Sequence, residues 1–586
     1  MVKAQRMVAI AALSLALGPV SACSQSTDES RSTRRAIAQS QAIAADFART
    51  ELALSPESAS RLDLERIVGP TASFALDNHS QSGFERKRLV RIELLQRLQS
   101  RPRLDAAHPL TRDLGVAERA LVDLISLEQL GYGRFNYAAL RPYAIDPYSG
   151  IWIEGPVLLA YRQSITTTEQ ATAYLMRLRA LSAAVQDTKR RLIADDASGI
   201  TLPAVLAEET SLRISRMLET DGPGLDRLIE TFSALTSDVS DMPIDQREQL
   251  TQLVRAEVTD KLRPAYLDLV ETLDRMADAS VEQTGIWGQP RGFDMYRGVL
   301  AAAVGEPIET ERLHQTHLEA VARDANALEQ LMRIDLEPER SIDPKPDRLE
   351  QQFDWFQTIH SVEDPASINA PQLDPPLDII LRLAPATDWQ RIGRATSFSP
   401  QADAIQRFEA QFSAAPFTTW RTEAESSSAP YRQILEYPAI QSAWNHYVWA
   451  QSSKHLDVDL QPVSALAHQT ISLTQSVLAA ADTGLHLQRW SLAEATDFIA
   501  LYAGLTEPLA RQLALSIASR PGHHSAVATA RQRMEGLATR SRAVLGEQYS
   551  ETEFQRTLIG PGPRPLSLIE RDIETWYGAR LQTATD

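Results

Sequence analysis

The sequence predicts an all-α protein with room for only minor short strands, on three observations. Apolar residues recur at helical spacing through most of the chain, capping patterns stand at the starts of such runs, and alternating β-type runs are rare. Tyr174, Leu178, Leu181, Val185 and Leu192 lie 4, 3, 4 and 7 residues apart, which puts them on one face of a helix. Thr166 and Glu169 have the spacing of a capping box at its start. Ser491 and Glu494 repeat that spacing ahead of Phe498, Ile499 and Leu501. The Ala- and Arg-rich run from Ser525 to Leu545 stops at Gly546, a residue suited to ending a helix. Residues 377–384, LDIILRLA, read as one short strand.

The chain opens MVKAQRMVAIAALSLALGPVSAC, with Lys3 and Arg6 ahead of an apolar run from Met7 to Leu17 and small residues up to Cys23. That is the pattern of a secretory signal over residues 1–22. Val20-Ser21-Ala22-Cys23 resembles a bacterial lipobox, and Cys23 is the only cysteine. The resemblance implies cleavage before Cys23 and acylation of that residue, which makes the lipid bilayer a partner and the cell envelope the location. Ser24 fits sorting to an outer membrane, facing the periplasm. Residues 23–36 read as the lipidated cysteine and a polar, flexible tether. Beyond the signal no run reaches the ~18 apolar residues of a membrane helix. A single cysteine excludes an intrachain disulfide, so burial must hold the fold. With 59 basic and 76 acidic residues the net charge is −17, which argues against nucleic acid as a partner.

Seven prolines between Leu336 and Pro376 interrupt the helical patterning. They divide the expected body into an N-terminal helical half, 37–335, and a C-terminal one, 377–586, joined by the 336–376 connection.

No G-x-S-x-G, Walker loop, G-x-G-x-x-G or H-E-x-x-H occurs in the chain. Two local histidine groupings could seed a metal site, His314 with His317 and His523 with His524. His317 shares a face with Leu313, Val321 and Leu328, which favours a histidine pair lining a core or cleft. Adjacent helical residues point about 100° apart, so His523 and His524 face one metal only on irregular backbone.

Several linked patterns resemble the bacterial family known as domain of unknown function 885. They are Asp482-Thr-Gly-Leu-His486 with Trp490, Arg520-Pro-Gly522, Leu545-Gly546, and Gly560-Pro-Gly562 through Ser567 with Glu570 and Trp576. Upstream, Gly285-Ile-Trp287 with Pro290 and Tyr296, Leu313-His314, Tyr174–Leu181 and Gly199–Pro203 also match, so the likeness runs from about residue 140 onward. The resemblance implies a large helical zinc-peptidase architecture with a central cleft. Family members carry H-E-x-x-P-G-H-H, then E-G-W-A-L-Y-A-E, then D-T-G-x-H, then P-G-Q-A-x-x-Y-K. There a zinc ion held by histidines and a glutamate activates water for a neighbouring carboxylate base.

This sequence departs from those motifs at the metal side. The first falls on Phe408-Glu409 through Ala414-Ala415, which leaves Glu409 in the base position without its histidines. The second falls on Ser442 through Trp449, with Trp444 and Tyr447 kept as packing residues and Ser442 in place of the zinc glutamate. The last falls on Pro521 through Ala528, where His523 and His524 replace Gln and Ala, and Val527 and Ala528 replace Tyr and Lys.

The resulting expectation is a metallopeptidase-like lipoprotein that is not an active enzyme, with no cofactor and no metal. Its catalytic relics are Glu409, Asp482 and His486. Its cleft candidates are Trp444, His446, Tyr447, Arg520, His523 and His524, and its partner is a peptide or an envelope protein. The alternative is a zinc-dependent hydrolase with a relocated metal, held by some of His446, His486, His523 and His524 with Glu409 or Asp482.

Overall fold

A computed structural model describes residues 31–105, 108–219, 224–279, 283–332, 430–452 and 461–583. The signal segment, Cys23, the proline-rich connection, the predicted strand over 377–384, and Phe408, Glu409, Ala414 and Ala415 lie outside the described residues.

The fold is all-α. The helices that frame its interior are α1 (31–54), α2 (Pro109–Glu128), α3 (Thr168–Ala197), α4 (Gly292–Val304), α5 (Leu313–Met332), α6 (Pro438–Ser452), α7 (Gln461–Leu487), α8 (Leu492–Ala503), α9 (Glu507–Ser519), α10 (His523–Leu545) and α11 (Glu551–Ile559). Residues 31–35, assigned from sequence to the tether, are helical and exposed in α1. Among the described residues there is one small hairpin, β1 (Arg134–Phe135) antiparallel to β2 (Leu140–Arg141). Its turn closes because the Asn136 side-chain oxygen accepts from the Ala138 and Ala139 N–H groups.

Helix α3 buries the predicted face: Tyr174, Leu178, Leu181, Val185 and Leu192 are all in the core. Each such side chain contributes roughly 1.5–3 kcal/mol by leaving water. Its cap is shifted by one residue from the predicted pair. Thr167 is the N-cap, accepting from the Gln170 N–H, and the Gln170 side chain reaches back to the Thr166 N–H rather than to the cap itself. Thr167-x-x-Gln170 has the same spacing as Thr166-x-x-Glu169 and satisfies the Gln170 N–H in place of the Glu169 N–H. On α8 the Ser491–Glu494 capping box forms as predicted, and Gly504 ends the helix in a left-handed conformation.

Among the described residues two hydrophobic cores hold the body together. One joins Trp152, Tyr174 and Leu178 to Leu478, Leu485 and Ile517, and the other joins Phe47, Leu98 and Leu121 to Trp444, Met534 and Phe554. Each core takes side chains from both sides of residues 336–376, so the two stretches of sequence are packed through one another. Helix α7 runs at the centre, in contact with α4, α5, α6, α8, α9 and α10.

Candidate functional site

Although it lies in the interior, α7 carries a polar stripe. His468, Ser472, Ser476, Asp482, Thr483 and His486 follow one another along it over about 27 Å. Every one of them except His468 is buried. Buried polar groups require partners, and α5, α6, α9 and α10 supply them.

At the C-terminal end of the stripe, the Asp482 carboxylate caps α10 from outside. It accepts from the Gly522 N–H at 2.9 Å and the Ser525 N–H at 3.0 Å, and from the Tyr296 hydroxyl of α4 at 3.2 Å. Gly522 is the N-cap residue at φ +81°, a conformation glycine adopts without strain, and its own lack of a side chain is what leaves the donors to Asp482. Burial pushes the Asp482 carboxyl up to about 6, while the two backbone donors hold it down. Thr483 hydrogen-bonds His314, whose ring stands edge-on to Trp490. Gly484 lies flat against the Trp490 ring, where a Cβ would come within 2.2 Å.

His486, one turn on, is fully committed to backbone. Its Nδ1 accepts from the Ile286 N–H at 3.0 Å, so the ring proton sits on Nε2 and donates to the Ile517 carbonyl at 3.1 Å. Burial pulls its pKa down to about 4, so the ring is neutral. Asp482 is 4.0 Å away. Thus Gly285-Ile-Trp287, Asp482–His486, Trp490 and Pro521-Gly522 converge on one junction of α4, α7, α9 and α10.

The middle of the stripe holds a buried ion pair that the sequence did not disclose. Arg531 of α10 donates to Asp324 of α5 at 3.0 Å, to the Ser476 hydroxyl at 2.7 Å and to the Ser472 carbonyl at 3.1 Å. Ser476 also donates to Asp324 at 2.6 Å. The available signal was positional: Asp324 follows Leu313, His317 and Val321 on the buried face of α5, and a charge on an apolar stripe demands a counter-charge. His317 bonds the Ala479 carbonyl through Nδ1, and burial lowers its pKa to about 3.

At the N-terminal end His446 of α6 meets α7. Ser472 donates its hydroxyl proton to the His468 carbonyl, so the His446 Nε2–H donates to Ser472 at 2.9 Å. The His446 Nδ1 lies 3.6 Å from Glu535, and its ring is 4.2 Å from that of His468. Burial first, then His468 and Arg531, depress the His446 pKa well below the imidazole range. Ser442, at the position where the family resemblance expects a zinc glutamate, is buried on the same helix.

The remaining residues singled out from sequence do not gather in one cleft. Trp444 is buried in the second core and stacks on Tyr447, whose hydroxyl turns away from α7 to Glu551 and Arg542. Arg520 donates to Ser516, and burial with Arg141 nearby lowers its pKa to about 9. His523 and His524 stand edge to face at 5.0 Å at the start of α10. Burial, then Arg520, brings His524 to about 3. Among the described residues no group of three or more His, Cys, Asp or Glu side chains has the geometry to hold a metal ion.

Comparison with known proteins agrees with this architecture. The model of the family described as bacterial protein of unknown function (DUF885) matches residues 56–357. The matched span therefore begins well ahead of residue 140 and ends before the motifs of the C-terminal third. No curated protein matches the chain. A candidate lipoprotein from Colwellia psychrerythraea has a similar structure, with a TM-score of 0.76 at 18% identity, covering 93% of this chain and 100% of that one. A candidate lipoprotein of unknown function from Shewanella oneidensis is also similar, with a TM-score of 0.60 at 11% identity, covering 90% of this chain and 98% of that one. At such identities the likeness speaks for the fold, and the family match carries the assignment: the chain belongs to the bacterial DUF885 family of proteins of unknown function.

Proposed function

We propose that this protein is an exported, lipid-anchored member of its family in which a peptidase-like seam has become a structural junction without hydrolytic chemistry. Its task is to bind a peptide or envelope protein at the outer membrane, facing the periplasm. The observation that carries this reading is the commitment of His486. A zinc ligand must offer an imidazole lone pair, and a substrate-side histidine must offer a nitrogen to the reacting carbonyl. Here Nδ1 and Nε2 are both taken by backbone groups, and Asp482 is taken by the start of α10. Serine at position 442 removes a carboxylate that water activation by zinc would need. The lipobox-like Val20–Cys23 supports the anchor, as does likeness to candidate lipoproteins, and no described helix is long and apolar enough to cross a membrane.

Two measurements test the two parts. The full chain expressed in a two-membrane bacterium should take up an alkyne-labelled fatty acid and fractionate with membranes. Cys23→Ser should abolish both, and an unlabelled wild-type chain would defeat the anchor. The purified chain, supplied with zinc, should not cleave a mixed fluorogenic peptide library. Turnover that disappears in His446→Ala or His524→Ala would instead establish the relocated-metal hydrolase.

A further inference from the structure

Away from the α7 stripe, a cluster of ionisable side chains fastens the segment that leads into the helix Gln81–Gln99. That segment runs from the 3₁₀ turn Pro70–Phe74 to Ser80, the N-cap of the helix, and passes the short helix Pro56–Arg61. Two reciprocal hydrogen bonds clasp it there. The Glu57 N–H donates to the Asp77 carboxylate at 3.1 Å, and the Asp77 N–H donates to the Glu57 carboxylate at 3.2 Å. The clasp sets two acids side by side, and like charges at close range repel. His79 and Lys87 offset that repulsion. The His79 Nε2–H donates at 2.7 Å to the same Glu57 oxygen that accepts from Asp77, and the Lys87 ammonium stands 3.5 Å from Asp77 while donating to Ser55 at 2.6 Å. The His79 and Glu57 side chains are 10% and 20% exposed, which lets water exchange the ring proton while screening the pair only in part.

The neighbours of His79 decide what its proton does. Glu57 faces it from the short helix, Asp77 from its own segment, and Arg134 from the hairpin, where Arg134 is itself paired with Glu154 at 2.5 Å. Arg61, on the short helix, is paired with Glu436. Loss of the ring proton removes the positive charge that touches Glu57. The neutral ring keeps one hydrogen bond but no longer offsets the repulsion between Glu57 and Asp77, which leaves Lys87 to do so from one side. Against burial, Glu57 and then Asp77 raise the His79 pKa above the ordinary 6.5, with Arg134 opposing. Against burial, His79 and then Arg134 hold Glu57 down to about 2. The contribution of a group raised in this way is whole below pH 6.5 and is lost as pH rises through the folded value. Upstream, Arg177 of α3 holds the Ala72 and Ala75 carbonyls at 2.6 and 3.0 Å, and a guanidinium keeps its charge over this range. The change is therefore confined to residues beyond Ala75. We propose that His79, Glu57 and Asp77 form a pH-sensitive latch, which holds residues 76–80 against the helix Pro56–Arg61 while His79 is protonated and loosens that segment when the ring becomes neutral.

The test uses the full purified chain. Amide hydrogen exchange read by mass spectrometry at pH 6 and pH 8.5, with each rate divided by its intrinsic rate at that pH, should show protection of residues 76–80 falling by about threefold or more at the higher pH. Peptides from α3 serve as the control. Histidines buried neutral, such as His317 and His486, steady the rest of the fold over the same range, so a loss confined to 76–80 is local. His79→Gln keeps a donor for Glu57 but carries no charge, and its 76–80 protection should be lower at pH 6 and the same at both pH values. In chain labelled with ¹³C-histidine, the ring resonance that His79→Gln removes should titrate above 6.5, and Glu57→Gln should lower that midpoint and shrink the pH effect on exchange. Protection in the wild type that does not change with pH, a His79 midpoint at or below 6.5, or a pH effect that persists in His79→Gln would overturn the proposal. None of these outcomes bears on the reading of the α7 stripe.

Discussion

Replacing Asp482 by asparagine separates two opposed contributions of one side chain. The carboxylate satisfies two backbone N–H groups at the start of α10 and the Tyr296 hydroxyl, but it is charged and completely buried. Its folded pKa of about 6 lies above the 3.8 of a free side chain. A raised pKa means that the folded state holds the proton more tightly. The associated stability is full below pH 3.8 and is lost as pH rises through 6. Between pH 5 and pH 7 this loss comes to about 1–1.5 kcal/mol. Asparagine keeps one acceptor oxygen but turns an NH₂ toward the second backbone donor, which costs about 1–3 kcal/mol at any pH. It cannot titrate. The stability of Asp482→Asn relative to wild type should therefore improve by about 1–1.5 kcal/mol on going from pH 5 to pH 7, read by urea unfolding followed by far-UV circular dichroism. A difference that stays constant with pH would refute an ionised, desolvated cap. Asp482→Ala supplies the check on geometry: with both N–H groups orphaned it should be less stable than Asp482→Asn at pH 7.

Two further outcomes follow from the buried groups on α5, α7 and α10. His317, His468, His486 and His524 have folded pKa values of about 3 to 4, set first by burial and well below the ordinary 6.5. Their stability is complete above pH 6.5 and is lost as pH falls, by about 1–2 kcal/mol per residue at pH 5, so the urea midpoint should drop steeply between pH 7 and pH 5. A flat profile would show that these rings are not buried neutral. For the central ion pair, Asp324→Ala leaves the Arg531 guanidinium buried without its carboxylate and should cost about 3–5 kcal/mol. Asp324→Leu combined with Arg531→Met should cost less in the same assay, and a double variant worse than the single one would contradict the charge-burial argument.

What the sequence disclosed was local. The five-residue face of α3 and the Ser491–Glu494 box depend on residues within a turn or two of each other, and periodicity reports those directly. The Thr166–Glu169 cap was misplaced by one because Thr167 and Gln170 carry the same chemistry at the same spacing. The stripe on α7 was legible only as scattered residues. His486 meets Ile286 across 200 residues and Arg531 meets Asp324 across 207, and no periodicity reports pairings at such separations. Two long-range cues were nevertheless present: Asp324 interrupts the apolar face of α5, and Arg531 does the same on α10 between Ala530 and Met534.

The pattern of what is kept and what is changed bears on how such a seam arises. The motif residues that remain, Asp482, Gly484, His486 and Gly522, each serve an interhelical contact: a carboxylate on two N–H groups, a bare Cα against Trp490, an imidazole between Ile286 and Ile517, and a left-handed turn into α10. Removing any of them orphans a buried polar group, creates a clash or strains the backbone, whatever chemistry the protein performs. Of the described positions that depart from the resembled motifs, Ser442 lies on α6, and His523, His524, Val527 and Ala528 lie on α10. Ser442, Val527 and Ala528 are buried. On the reading proposed above, once hydrolysis is not required, nothing in the packing resists those replacements, while the capping and junction residues remain under the constraint of stability. On that reading motif survival in this chain follows packing duty, and a retained D-T-G-x-H is weak evidence for a working active site.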